Sequence, residues 1–151
     1  MATTPNTQPI YTKEPFIWTT RLTSQVTPRI LTTATTPTYL DSVGSNGGVI
    51  WSILAVPLGN NVASTLRLFG RSEDATALTD YRLMAEMNLP LIEESVAGIA
   101  LPSLEVPMPR IYTRDSSESR GFVCPGGFGL AVALGVEVAS GWDIIVTGGN
   151  Y

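Results

Sequence analysis

Residues 128–151, FGLAVALGVEVASGWDIIVTGGNY, carry the clearest architectural signal in the chain. From Phe128 every second residue is large and apolar (Phe128, Leu130, Val132, Leu134, Val136). The residues between them, Gly129, Ala131, Ala133 and Gly135, are small. A period of two sends alternate side chains to opposite faces of a strand. One face therefore offers a complete hydrophobic row to a core. The other is nearly bare, open to close approach by a second layer, a neighbouring subunit or another backbone. Ala139-Ser140-Gly141 breaks the run, and Trp142-Asp143-Ile144-Ile145-Val146-Thr147 resumes it. The two segments read as a hairpin at the centre of an antiparallel β-sandwich, with the rest of the chain supplying further strands.

Upstream, residues 121–127 lead into this hairpin and 114–120 (RDSSESR) form a polar loop tip. Between 91 and 111 apolar residues persist, but Pro102, Pro107 and Pro109 confine them to edge strands and bends. Residues 81–88 alternate as a strand with one half-polar face. Residues 70–80 read as a polar loop with a short helical turn over 74–78. Residues 63–69 (ASTLRLF) alternate, with Leu66 and Leu68 on one face and Arg67 and Phe69 on the other. Residues 49–56 are apolar on both faces except Ser52, as in a strand buried on both sides or facing a core and a partner. Ser45-Asn46-Gly47-Gly48 and Gly59-Asn60-Asn61 carry turn chemistry. A strand is expected over 29–35 and a loop over 37–48. Short strands separated by turns, with no helical periodicity and no repeat, mean an all-β sandwich or barrel.

Residues 1–38 differ in composition from the rest of the chain. They hold thirteen Thr and five Pro but no Gly. Pro and β-branched Thr favour extended backbone, and too little apolar surface is present for independent folding. The expected organisation is an extended N-terminal arm over 1–27 and a β-sandwich domain over 28–151. Within the arm, Phe16-Ile17-Trp18 reads as an anchor for a pocket, either in its own domain or in a neighbour.

The whole chain of 151 residues makes one domain. Only 15% of its residues are charged, against about 25% in typical soluble domains, which points to surface covered by partners. Arg outnumbers Lys eight to one, an interface-like balance. A net charge of −4 argues against nucleic acid as partner. Residues 1–20 carry no secretory signal pattern, and the apolar run 48–58 is too short to cross a bilayer, so no membrane association is expected. The single Cys124 has no disulfide partner.

With no His anywhere, His-based triads, zinc sites and general bases are excluded. The stretch 121–129 (GFVCPGGFG) lacks the Gly-Lys-Ser/Thr ending of a phosphate loop. Glu93-Glu94 and Glu73-Asp74 are adjacent, so on a strand each pair would point to opposite faces. Asp143 and Glu137 read as exposed or inter-subunit ion-pair partners. No cofactor, metal or catalytic residue is expected, and the chain does not read as an enzyme.

In layout, a Thr/Pro-rich arm before a Gly-turn sandwich with few charges, no His and a final strand WDIIVTGGNY, the chain resembles head decoration (cement) proteins of tailed bacteriophages, which have a jelly-roll-like sandwich. The resemblance implies a virion protein made in the host cytoplasm. It implies a homo-oligomer, commonly a trimer, seated on the major capsid protein and clamping adjacent capsomers. The partner-binding residues expected on the residue pattern are Phe16, Ile17 and Trp18 in the arm, with Gly129, Ala131 and Ala133 on the small-residue face. Other readings are a tail, neck or receptor-binding sandwich module of a virion, with Tyr39, Tyr112 and Tyr151 as aromatic candidates, and a small-ligand-binding β-barrel.

Overall fold

The computed structural model describes residues 14–26, 29–31, 37–71, 77–93, 100–108 and 121–151. Nine strands and one 3-10 turn make up their regular structure: β1 (Glu14–Leu22), β2 (Thr38–Ser42), β3 (Gly48–Pro57), β4 (Ser64–Arg71), the turn Leu78–Asp80, β5 (Arg82–Leu89), β6 (Leu104–Glu105), β7 (Phe122–Cys124), β8 (Gly129–Leu134) and β9 (Trp142–Asn150). They build two antiparallel sheets packed face to face, the expected all-β sandwich. The first sheet runs β1-β9-β3-β6, with β7 also on β3; the second runs β2-β8-β4-β5.

The pairings nest: β1 with β9, β2 with β8, β3 with β6 and β7, β4 with β5. The chain is thus one long hairpin wound alternately into two sheets, the jelly-roll arrangement. Its lateral joins are β9 to β3 and β8 to β4. The inward rows of β4, β8 and β9 are those the alternation marks, except that Val136, expected in the β8 row, is exposed beyond the end of that strand. Leu130, Val132 and Leu134 of β8 meet Trp142, Ile144 and Val146 of β9, with Ile50, Ile53, Leu66 and Leu68 beside them in one core. Each such fully buried side chain contributes about 1.5–3 kcal/mol of transfer free energy.

Three sequence expectations change. First, β8 and β9 are not a hairpin. They are central strands of opposite sheets and face each other across the core. Residues joining them bond instead to other segments of the chain. The buried Asn61 donates from Nδ2 to Gly141 O at 2.8 Å, and its Oδ1 accepts from Ser140 N and Gly141 N at 3.1 and 2.9 Å. Val138 N donates to Thr23 O, and Gly135 N to Thr65 O. Gly141 sits at φ +94, where a side chain would be strained.

Second, the arm is extended from Glu14 onward, but as β1, paired residue for residue with β9 from Glu14↔Asn150 to Leu22↔Trp142. The boundary expected at residue 27 therefore leaves a strand of the sandwich on the arm's side; residues 1–13 lie outside the described residues. Third, the loop expected over 37–48 contains β2, while Arg29 and Ile30 lie in a bend rather than a strand. The remainder of the strand expected over 29–35, most of the turn expected over 74–78, and the loop tip 114–120 lie outside the described residues.

Candidate functional site

The two sheets differ in what lies on their outer faces. On the second sheet, β8 turns Ala131 and Ala133 outward, and β4 adds Arg67 and Phe69 beside them. The chain leaving β1 crosses this face as a strap. Val26 N donates to Leu134 O at 2.7 Å, and Val26 and Leu31 pack with Phe69, Tyr81, Ala131 and Ala133 in a second buried cluster. Two alanines side by side leave the room the strap's backbone needs. Of the occupants that the sequence allows on this bare row, the structure supplies a second layer of the same chain.

An ion cluster ties the strap down. Arg67, nearly buried, places Nε 2.9 Å from Glu86 Oε1 and donates from Nη1 to Val26 O at 2.9 Å. Arg29 on the strap reaches the same carboxylate at 2.9 Å. Hydrogen bonds from Arg29, then Arg67, hold Glu86 below the usual carboxylate range, and Glu86 in turn raises Arg29.

At the end of this face Arg71 lies 5.2 Å from the Tyr81 ring centre. Burial pushes the Tyr81 phenol up, and the Arg71 charge pulls it back. Among the described residues Arg71 Nε is buried without a hydrogen-bond partner, as is Trp142 Nε1 in the core.

The outer face of the first sheet has no such cover among the described residues. β9 presents Ile145 and Thr147 there, β3 presents Leu54 and Val56, and β1 presents Ile17. Ile17 is 70% exposed. At the far edge, a register shift between Ile50 and Ser52 in the β3–β9 pairing leaves Trp51 exposed, and Val123 of β7 stands out beside it. The ion pair on this face is Arg21 with Asp143, 3.0 Å apart and largely exposed. The charge expected of Asp143 is thus met within the chain, and the carboxylate hydrogen bond raises Arg21. Glu137 is exposed in the connection between β8 and β9.

The six residues expected to bind partners separate. Phe16 and Trp18 turn inward, stacked with ring centres 4.0 Å apart. Trp18, 9% exposed, belongs to the main core. Of its two possible pockets, the structure places it in its own domain. Phe16 lies over Gly148, where a Cβ would collide with its ring and with Val49 O. Gly129, Ala131 and Ala133 are buried within the chain. Only Ile17 is presented to solvent.

The sequence pattern does not single out Trp51 and Val123, because each sits in an apolar stretch whose outward positions only the pairing reveals. Asn61 reads from sequence as a turn residue, and nothing in Gly59-Asn60-Asn61 distinguishes the buried Asn from its exposed neighbour.

Tyr39 is exposed on the edge of the second sheet, Tyr151 is half-buried, and Tyr112 lies outside the described residues. Burial pushes the Cys124 thiol up to about 12, which keeps it protonated and unreactive at neutral pH. Glu93 is exposed; Glu73, Asp74 and Glu94 lie outside the described residues. Among the described residues no three His, Cys, Asp or Glu side chains converge as a metal site, and no helix is long and apolar enough to cross a membrane. Comparison with known proteins returns no matching family model, no matching curated protein and no matching solved structure.

Proposed function

We propose that the protein is a structural component of a tailed-phage virion: a homo-oligomer that seats on the outer surface of the capsid and clamps neighbouring major capsid protein subunits. The observation that carries this reading is the bare outer face of the first sheet. Three strand widths at about 4.8 Å and some nine residues at about 3.4 Å give its full-length part a footprint of roughly 14 by 30 Å, extended at one edge by the short β6 and β7. Ile17, Trp51 and Val123 are exposed on it and Leu54, Val56 and Ile145 half-buried, among the hydroxyls of Thr19, Ser52 and Thr147, with the Arg21–Asp143 ion pair at one side and Glu105 at the other.

A patch of several hundred Å² of this composition is at the upper end of what a free monomer exposes, and such patches are recurrently binding surfaces. Trp51 at the bulge supplies an aromatic anchor of the kind that dominates binding energy. Jelly rolls recur in viral capsid proteins among other classes, so the fold agrees with the reading but does not select it.

The test is co-sedimentation of the purified chain with undecorated heads of the phage that encodes it. Saturable binding at a fixed ratio to capsid subunits, lost on Trp51→Asp, is the expected result. Heads that sediment without the chain would contradict it.

A further inference from the structure

The four sheet edges are not equally protected. An edge strand presents unpaired N–H and C=O groups that template pairing with another strand, and natural proteins blunt such edges by shortness, bulges, charges or proline. The far edge of the first sheet is broken into β6 and β7, of two and three residues, with Pro102, Pro107 and Pro125 around them. In the second sheet, β2 has five residues, a register shift between Tyr39 and Asp41, and Pro37 just before it. β5, the other edge, carries Arg82 and Glu86 and has a register shift at Met84, opposite Leu68 and Phe69 of β4.

β1 has none of these devices along its middle. It runs nine residues with an unbroken register, and 16–20 (FIWTT) holds neither charge nor proline. Among the described residues no strand pairs with its other edge.

We infer that this edge of β1 pairs antiparallel with β1 of a second copy, carrying the first sheet across a two-fold axis. The occupant is a second copy because the edge is self-complementary. A pairing centred on Trp18 sets Ile17 opposite Thr19 of the second copy, Arg21 opposite Pro15 and Glu14 opposite Leu22, so no like charges meet. A two-fold interface requires this match of a patch with itself. Side chains keep their faces across the axis, so Ile17 and Thr19 of both copies lie at the seam where the two uncovered faces meet. The inference deepens the proposed assembly role and rests on it, but it makes the unit two-fold where the family resemblance implies a trimer.

Light scattering on the full chain tests it, together with Ile17→Lys/Thr19→Lys, which puts four cations around the axis. Both side chains are exposed in the single chain, so the melting temperature of the variant's monomer checks that the sandwich stays folded. The expected results are a dimer for the natural chain, a folded monomer for the lysine variant, and a restored dimer when the lysine variant is mixed with Ile17→Glu/Thr19→Glu. A trimeric natural chain, or an oligomer whose mass the lysine pair leaves unchanged (as when residues 1–13 or another surface make the contact), overturns the β1 pairing and leaves the assembly role standing. A lysine variant that is monomeric but not restored by its glutamate counterpart also overturns it. A monomeric natural chain contradicts both readings.

Discussion

The two outer faces of the sandwich are built from the same kind of strand and meet opposite fates. On the second sheet, β8 is buried on both sides because the chain folds its own strap over Ala131 and Ala133. On the first sheet, β9 is buried on one side only, and Ile145 and Thr147 face outward beside Leu54 and Ile17. The difference lies in side-chain size. Alanine leaves a trough in which a backbone can lie close, whereas Ile and Leu stand higher and fill that space themselves. An apolar outward row is thus not by itself a partner site; its volume decides whether the chain can cover it unaided.

Substitutions on either side of the sandwich probe this contrast. The largest effect is expected from Trp18→Ala, which empties part of the main core from the β1 side. Loss of a buried Trp costs about 3 kcal/mol or more, and at 2–4 °C per kcal/mol for this chain length the melting temperature falls by roughly 10 °C. A melting temperature within about two degrees of the natural protein would mean that β1 does not pair with β9 in solution. Next is Ala131→Leu, which fills the trough beneath the strap. Overpacking there costs about 1–3 kcal/mol, read by urea unfolding, and proteolysis should then cut first between 23 and 31.

A smaller loss is expected from Arg67→Met, which keeps the stem but leaves Val26 O without its donor and the Glu86 carboxylate with Arg29 alone, at about 1–2 kcal/mol. The strap's ion cluster also sets a pH dependence. Glu86 is held below its unfolded value, so its contribution to stability is present above the ordinary carboxylate range and disappears as pH falls through the lowered value. The stability difference between the natural chain and Glu86→Gln should therefore be constant near neutrality and vanish in acid. A difference that grows on acidification would contradict the cluster.

The smallest effect on folding is expected at Ile17→Thr, on the bare face. It should change stability by no more than about 0.5 kcal/mol while weakening assembly, which separates the uncovered face from the covered one.

Much of the fold is legible in the sequence because the periodicity of two is physical. The inward rows of β4, β8 and β9 are those the alternation picks out, whereas β3 reads as apolar on both faces, and Pro102 and Pro107 do confine 104–105 to a two-residue edge strand. What the pattern cannot carry is which sheet a strand joins. β8 and β9 look like a hairpin because each alternates and a short Gly-containing break separates them. The hydrogen bonds of Ser140 and Gly141 to Asn61, of Val138 to Thr23 and of Gly135 to β4 make that break a crossing between sheets.

The site is legible in part for the same reason. Phe16, Ile17 and Trp18 stand out as an apolar cluster in a polar segment, but pairing with β9 sends two of them inward and one outward. Trp51 escapes the pattern altogether, since its exposure comes from a register shift that alternation does not encode.

Hydroxyl-radical labelling of the free chain and of the chain bound to heads sets the two faces against each other in one experiment. Ile17, Trp51 and Val123 on the first sheet are exposed in the single chain, as are Ile30 and Tyr39 on the strap and second sheet. The account predicts that assembly protects the first three and leaves Ile30 and Tyr39 labelled as before. Protection of Ile30 and Tyr39 with Ile17, Trp51 and Val123 still reactive would contradict it, and would place the partner on the face the chain already covers.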